Sequence, residues 1–254
     1  MSDGLRDIVY PPILGLAYTM FFGLGLKIDV QGGENIPRAG GAVLASNHQS
    51  FLDFIFVGLA ARPSKRLVRF MAKDAVFHKP VAGQLMRGMH HIPVNRAAGA
   101  ASYEEAVARL RGGQVVGIFP EATISRSFVL KDMKNGAARM AQAAEVPLIP
   151  VALWGGHRIF TKKRKPDWSR GKAISIAVGK PIETPAGADA NDLADTMRTR
   201  IGELLEGLQR NYPQQPKNEA DRWWLPAYLG GAAPTPEEAA VMDAEDAAGR
   251  GRDK

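Results

Sequence analysis

Hydrophobic and polar positions along this chain fall into three regimes. Residues 8–26 contain no charge, a run that reaches the ~18 residues at which a membrane span becomes a candidate. Pro11 and Pro12 stand near its start, and Gly15, Gly23 and Gly25 punctuate it. A helix over 12–26 would be about 22 Å long, short of the ~30 Å hydrocarbon layer. Asp3 and Asp7 flank the run, Arg6 is the one basic side chain before it, and no A-x-A site follows, so a secretory signal is not expected. Residues 1–28 are therefore read as a membrane-associating segment whose helix lies in or dips into the interface. A spanning helix and a core helix covering the domain are the alternatives.

From Val30 onward the pattern alternates. Short apolar runs predict strands at 42–45, 67–71, 91–94, 115–119, 148–153 and 174–178. Helical patterns lie between several of them. Ser102-Tyr103-Glu104-Glu105 reads as a capping box for a helix through Arg111, stopped by Gly112-Gly113. Residues 132–144 are alanine-rich and helical, and 192–210 carry Leu193, Met197, Ile201, Leu204, Leu205 and Leu208 along one side. This alternation predicts an α/β sheet, with active residues at strand ends and in the loops that follow them. The third regime begins after Tyr212. Pro213-Gln214-Gln215-Pro216 opens a linker, and 230–254 is rich in Ala, Pro, Glu and Asp without periodicity, so 213–254 is expected to be mostly disordered. Trp223-Trp224-Leu225-Pro226-Ala227-Tyr228-Leu229 is the exception, either an interfacial aromatic anchor or a segment docked on the domain.

Composition narrows the function. Zero cysteines among 254 residues exclude a thiol nucleophile, a Cys-ligated metal and any disulfide. Of the formal +7, residues 236–254 hold six acidic and three basic groups, which leaves +10 on the rest. A basic body suits phosphate-bearing substrates, coenzyme A, acidic carrier proteins or anionic lipid. Nucleic acid is not an expected partner, because no zinc-finger spacing, aromatic RNA-binding signature or long basic helix is present.

The candidate chemistry begins at Asn47-His48-Gln49-Ser50-Phe51-Leu52-Asp53, directly after the apolar run 42–45. A histidine there can act as general base, and a carboxylate on its other ring nitrogen would set the tautomer. Five residues of helix turn through about 500°, so the two side chains meet only if His48 stands in the turn before the helix. Ser50-x-x-Asp53 also fits a capping box opening a helix over 51–61. A second motif, Val115-Val116-Gly117-Ile118-Phe119-Pro120-Glu121-Ala122-Thr123-Ile124-Ser125-Arg126, runs a buried-type strand into a loop with a carboxylate, hydroxyls and a guanidinium. His91-Ile92-Pro93-Val94-Asn95-Arg96 is a short strand ending in arginine, and Val146-Pro147-Leu148-Ile149-Pro150-Val151 is an apolar run broken by two prolines.

In order and spacing these four blocks resemble the glycerolipid acyltransferase family, over roughly residues 30–205. Its N-H-x-x-x-x-D block matches at Asn47, His48 and Asp53. A short strand ending in arginine matches at 92–96. F-P-E-G-T-R-S matches at Phe119, Pro120, Glu121 and Thr123. V-P-[IVL]-[IV]-P-V matches throughout 146–151. Two departures stand out: Ala122 replaces the block's glycine, and Ile124 replaces its arginine, with Ser125 in the serine position and Arg126 two places later.

The resemblance implies an α/β fold with a mixed sheet flanked by helices, spanning 29–212 as the acyltransferase domain. It implies an O-acyltransferase moving a fatty acyl group from acyl-CoA or acyl-carrier protein to 1-acylglycerol-3-phosphate, giving phosphatidic acid in phospholipid biosynthesis. His48 and Asp53 would be catalytic. Arg96 and Arg126 are candidates for the acceptor phosphate, and Thr123 and Ser125 belong to the same acceptor-binding block. Glu121 either accepts hydrogen bonds from the acceptor's glycerol or orders the loop. No cofactor or metal is implied, since the donor is a substrate, and no G-x-S-x-G elbow offers a serine route. The expected location is the cytoplasmic face of the cell membrane, peripheral or monotopic, with the lipid surface and a lysophospholipid as partners. Another lysophospholipid acceptor, an acyl-thioester hydrolase and a non-enzymatic membrane adaptor are the competing functions.

Overall fold

The computed structural model describes residues 7–95 and 99–252. In chain order the elements are α1 (Tyr10–Gly23), β1 (Lys27–Gln31), β2 (Ala42–Ser46), α2 (Asp53–Ala60), β3 (Val68–Lys73), α3 (Asp74–Phe77), α4 (Pro80–Gly88), β4 (Ile92–Val94), α5 (Gly99–Arg111), β5 (Val115–Ile118), α6 (Gly136–Ala144), β6 (Leu148–Trp154), β7 (Ala173–Val178), α7 (Ala190–Arg210) and α8 (Pro236–Arg252). The seven strands form one sheet in the order β1-β7-β6-β2-β5-β3-β4. Every neighbouring pair is parallel except β6–β7, so the expected mixed α/β sheet is what forms.

Both faces of the sheet are covered, which explains why its central strands read as continuous apolar runs. Alternate residues of β2 point to opposite sides. Leu44 packs with Phe56 and Val57 of α2, and Val43 and Ala45 pack with Ala137, Met140 and Ala141 of α6. The small alanines of α6 let that helix approach closely. On α7 the expected stripe is buried at Leu193, Met197, Ile201, Leu205 and Leu208. That helix starts earlier than expected, because Asp189 caps it by accepting from Asn191 N and Asp192 N.

Other expectations need correcting. Ser102 is not a cap: α5 already runs from Gly99, and the Ser102 hydroxyl donates to Pro93 O at 2.8 Å. Residues 213–252 are not mostly disordered. They form 3-10 turns at Glu219–Trp224 and Ala227–Leu229 and then α8. The cause is burial that composition alone hides. Trp224 is 1% exposed, packs with Trp154, Tyr212 and Phe128, and lies under the Arg158 guanidinium at 4.3 Å. Trp224 therefore docks on the domain rather than serving as an interfacial anchor. α8 opens on a reciprocal capping box, with Thr235 N donating to Glu238 Oε2 and Glu238 N to Thr235 Oγ1.

α1 begins with its two prolines in the first turn, where their missing N–H groups are not needed. Tyr10 and Phe21 fix it to the domain, Tyr10 by donating to Val68 O at 2.9 Å and Phe21 by stacking on Phe56. Ile8, just before α1, and its Leu16 and Phe22 remain exposed, Phe22 by 86%. Among the described residues no helix is long and apolar enough to cross a membrane.

Candidate active site

Parallel strands deliver their following loops to one edge of the sheet, and here three adjacent ones do so together. β2 lies between β5 and β6 and is parallel to both. Beyond its end come Asn47 and His48, beyond β5 come Phe119 and Glu121, and beyond β6 comes the Gly155–Gly156 turn. Asn47 ties two of these ends with a buried amide, donating to Leu153 O at 3.0 Å and accepting from Leu153 N at 2.8 Å.

His48 stands in the turn before α2, as the 500° argument requires. Its Nδ1 lies 3.0 Å from Asp53 Oδ2, and its ring stacks on Phe119 at 4.3 Å. Asp53 is 1% exposed and is the first residue of α2, where the helix N-terminus favours a carboxylate. The same Oδ2 accepts from Gln49 N at 2.6 Å and Ser50 N at 2.7 Å. Only half of the expected capping box forms: Asp53 reaches back to Ser50 N, while Ser50 Oγ donates to Phe160 O at 2.7 Å and accepts from Leu52 N at 3.1 Å. α2 starts at Asp53 rather than 51, and Asp53 caps the turn while orienting the imidazole. With Nδ1 engaged by the carboxylate, Nε2 is the nitrogen left for chemistry, and His48 is 22% exposed on its side chain.

His78, His91 and His157 are engaged elsewhere. Burial pushes His91 down to about 3, with Arg69 and His90 adding to the effect, and its Nδ1 accepts from Phe70 N at 3.0 Å. Burial likewise pushes His157 down to about 3, against the hydrogen bond to Trp224 O and with Arg158 nearby. His78 pairs with Asp74 on the surface.

Glu121 is buried and works as a strut. Its Oε1 accepts from His48 N at 2.7 Å and its Oε2 from Lys131 N at 3.0 Å. Burial pushes this carboxyl up to about 8 despite those two hydrogen bonds, which favour its charged form. Of its two expected roles, loop ordering is what the geometry supports, with backbone donors as partners. Arg96 lies outside the described residues.

Ser125 is a correction. It is 1% exposed, and its hydroxyl donates to Val129 O at 2.8 Å inside the loop while its N–H donates to His48 O at 2.8 Å. Its part is to brace the His48 turn, not to meet an acceptor. Thr123 is half-buried on the same loop. Ile124 is buried, so the position where the family pattern holds a guanidinium carries an apolar side chain turned inward. Arg126 is ion-paired to Asp243 and Asp246 of α8.

The loop after β5 curls. Ala122 has φ +59° and Phe128 φ +56°. Left-handed backbone costs an L-residue ~1–2 kcal/mol, which accounts for glycine in the family block. Ala122→Gly relieves that strain but gains freedom in the unfolded chain. A net stabilisation of roughly 0.5–1 kcal/mol is expected, read as a rise of about 1–4 °C in a thermal melt.

Several supporting residues were not legible as site residues. Gln49 Nε2 donates to Phe128 O, and Thr161 Oγ1 donates to Gln49 O at 2.7 Å. A Cβ on Gly156 would stand 3.3 Å from Asp53 Oδ1 and 3.2 Å from the Phe56 ring, so glycine lets the turn after β6 sit close against the carboxylate. The basic run at 162–172 is exposed at Lys163, Arg164, Lys165 and Arg170. Lys162 and Lys163 pair with α8, Arg164 lies 3.8 Å over Trp223, and the buried Lys172 ammonium donates to Asp167 O and Ser169 O.

The pattern that defines the Acyltransferase family matches residues 27–154. The chain is 29% identical over 193 residues to the 1-acyl-sn-glycerol-3-phosphate acyltransferase of Bacillus subtilis, covering 72% of this chain and 90% of that protein. It is 32% identical over 191 residues to the protein of that name from Borreliella burgdorferi, covering 73% of this chain and 74% of that one. Its fold matches the crystal structure of the 1-acyl-sn-glycerophosphate (LPA) acyltransferase PlsC from Thermotoga maritima, with a TM-score of 0.67 over 80% of this chain and 81% of that one, at 21% identity.

Proposed function

The chain belongs to the acyltransferase family, and from that premise we propose that it acylates the free hydroxyl of 1-acylglycerol-3-phosphate to give phosphatidic acid, a step of phospholipid synthesis. The observation that carries this reading is the His48–Asp53 pair, whose Nδ1 contact leaves Nε2 as the base. His48 Nε2 takes the hydroxyl proton as the oxygen attacks the thioester carbonyl of acyl-CoA or acyl-carrier protein. The C–O bond forms, the C–S bond breaks, and the imidazolium returns the proton to the departing thiolate. Asp53 stabilises the imidazolium in between. Arg126 holds the acceptor phosphate, for which a guanidinium fork is well matched. Arg96 is a second candidate on sequence pattern alone.

The test is a competition among acceptors. Purified protein receives labelled acyl-CoA with lysophosphatidic acid and lysophosphatidylcholine together, and the product lipids are resolved by mass spectrometry. Phosphatidic acid is the expected major product. A preference for the larger headgroup would place the protein outside the phosphatidic-acid branch.

The enzyme works from the cytoplasmic face of the membrane, with α1 lying in the interface. The exposed Ile8, Leu16 and Phe22 supply the apolar surface, and Val81 and Leu85 of α4 extend it; Gly88, at the end of α4, abuts Val9. Leu16→Ser with Phe22→Ser is expected to move the protein from membrane to soluble fractions with little change in melting temperature, because both side chains are exposed. Unchanged membrane partition would contradict the interfacial placement.

A further inference from the structure

Four cations gather beside the catalytic turn and meet two carboxylates. Arg126 Nε lies 3.0 Å from Asp243 Oδ1 and Lys131 Nζ 2.7 Å from Asp243 Oδ2, and Lys162 Nζ also pairs with Asp243. Arg126 and Lys163 pair in addition with Asp246, Lys163 at 3.0 Å. Each of the first three cations adjoins a contact that holds His48 in place. Arg126 follows Ser125, which donates to His48 O; the Lys131 N–H donates to Glu121; Lys162 follows Thr161, which donates to Gln49 O. We infer that Arg126, Lys131 and Lys162 form a phosphate-binding site at the edge of the active site, and that α8 fills it with Asp243 and Asp246, competing with the phosphate of the acceptor.

Charge supports this assignment. Four positive side chains around two carboxylates leave an excess of positive charge, and a phosphomonoester dianion brings the same two negative charges to those cations on a single group. Burial would raise the Asp243 carboxyl, but the hydrogen bonds from Lys131, Lys162 and Arg126 hold it well below the ordinary carboxylate range. Asp243 and Asp246, three residues apart, share one face of the helix. The attachment of α8 is also of a kind that anions can undo. Among its described side chains only Ala239 is buried, while Val241 and Met242 are exposed. Little apolar burial backs the ion pairs, which salt screens and a competing anion replaces. Closed α8 lowers the fraction of enzyme competent to bind acceptor, and so raises the apparent acceptor constant.

This inference rests on Arg126 as the acceptor-phosphate ligand, and the experiment separates the two. In the full-length protein, Asp243→Asn with Asp246→Asn is expected to lower the KM for lysophosphatidic acid by roughly three- to fivefold, the range of a part-exposed ion-pair network, and to leave the donor KM unchanged. Arg126→Ala is expected to raise the acceptor KM about tenfold or more. If Arg126→Ala raises that KM but the double variant does not lower it, the latch fails and the phosphate reading stands. If Arg126→Ala leaves it unchanged, the phosphate reading fails and the latch with it.

Hydrogen exchange of wild-type α8 gives a second reading that no variant can confound by misfolding. Lysophosphatidic acid is expected to accelerate exchange over 236–249, and uncharged monoacylglycerol is not. Equal exchange with both lipids would overturn the proposal. So would acceleration by phosphatidylglycerol vesicles but not by lysophosphatidic acid, which would make a lipid surface, not the acceptor, the agent of release.

Discussion

Replacing His48 by alanine is expected to lower kcat for acyl transfer by ~10²–10⁴-fold, the usual worth of general-base assistance, with the fold retained. The structure gives a reason for each half of that statement. The turn that carries His48 is held by main-chain contacts that the substitution leaves in place: Ser125 N donates to His48 O and His48 N to Glu121. The side chain itself contributes one stack on Phe119 and one bond to Asp53, and it is part-exposed, so stability is expected to change by no more than about 1 kcal/mol. Circular dichroism and a thermal melt check the fold while steady-state kinetics check turnover. Near-normal kcat in folded His48→Ala would remove the mechanism.

Asp53→Asn has the second largest effect and a different signature, because it damages turnover and stability together. Asp53 Oδ2 gathers three donors, from His48, Gln49 and Ser50. An amide oxygen can meet them but without charge, and the amide nitrogen would place a donor where Oδ1 lies beside the Gly156 turn. Loss of the charge that stabilises the imidazolium is expected to reduce kcat by about 10²-fold or more. Hydrogen bonds to a charged group are worth roughly 1.5–3 kcal/mol, so a stability loss of about 2 kcal/mol, or roughly 4–8 °C in melting temperature, accompanies it. A variant that loses stability but keeps turnover would make Asp53 a cap alone.

The parts of this protein that were legible in its sequence are those where a single segment carries the whole signal. β2, β5 and β6 are buried on both faces and read as apolar runs, and α7 shows its buried stripe at helical spacing. The His48–Asp53 pair was legible because a strand, a tight turn and a helix start place its members together within seven residues. β1 was not separated from the apolar segment before it, although Ile28 and Val30 alternate with Lys27, Asp29 and Gln31. α8 was hidden by its Ala, Glu and Asp content, even though Thr235-Pro236-Glu237-Glu238 spells a capping box. What holds it is a set of cations 80 to 120 residues away in sequence. The same distance hid the Phe119 stack under His48, the Gly156 turn against Asp53 and the occupation of Arg126. None of these contacts has a local pattern, because each joins loops that only the sheet order brings to one edge. Ser125 was read as acceptor-binding from its place in the block, whereas the left-handed Ala122 and Phe128 curl the loop so that Ser125 and Ile124 turn inward.

In the mechanism proposed here, the base at His48 directs an acyl group to a glycerol-phosphate hydroxyl and not to water. The most direct measurement follows labelled acyl-CoA through the purified wild-type enzyme, with and without lysophosphatidic acid, and quantifies label in phosphatidic acid and in free fatty acid against coenzyme A released. Coenzyme A release is expected to depend on the acceptor, with label entering phosphatidic acid mole for mole. Label accumulating in free fatty acid at a rate indifferent to the acceptor would contradict it and make the protein a thioester hydrolase.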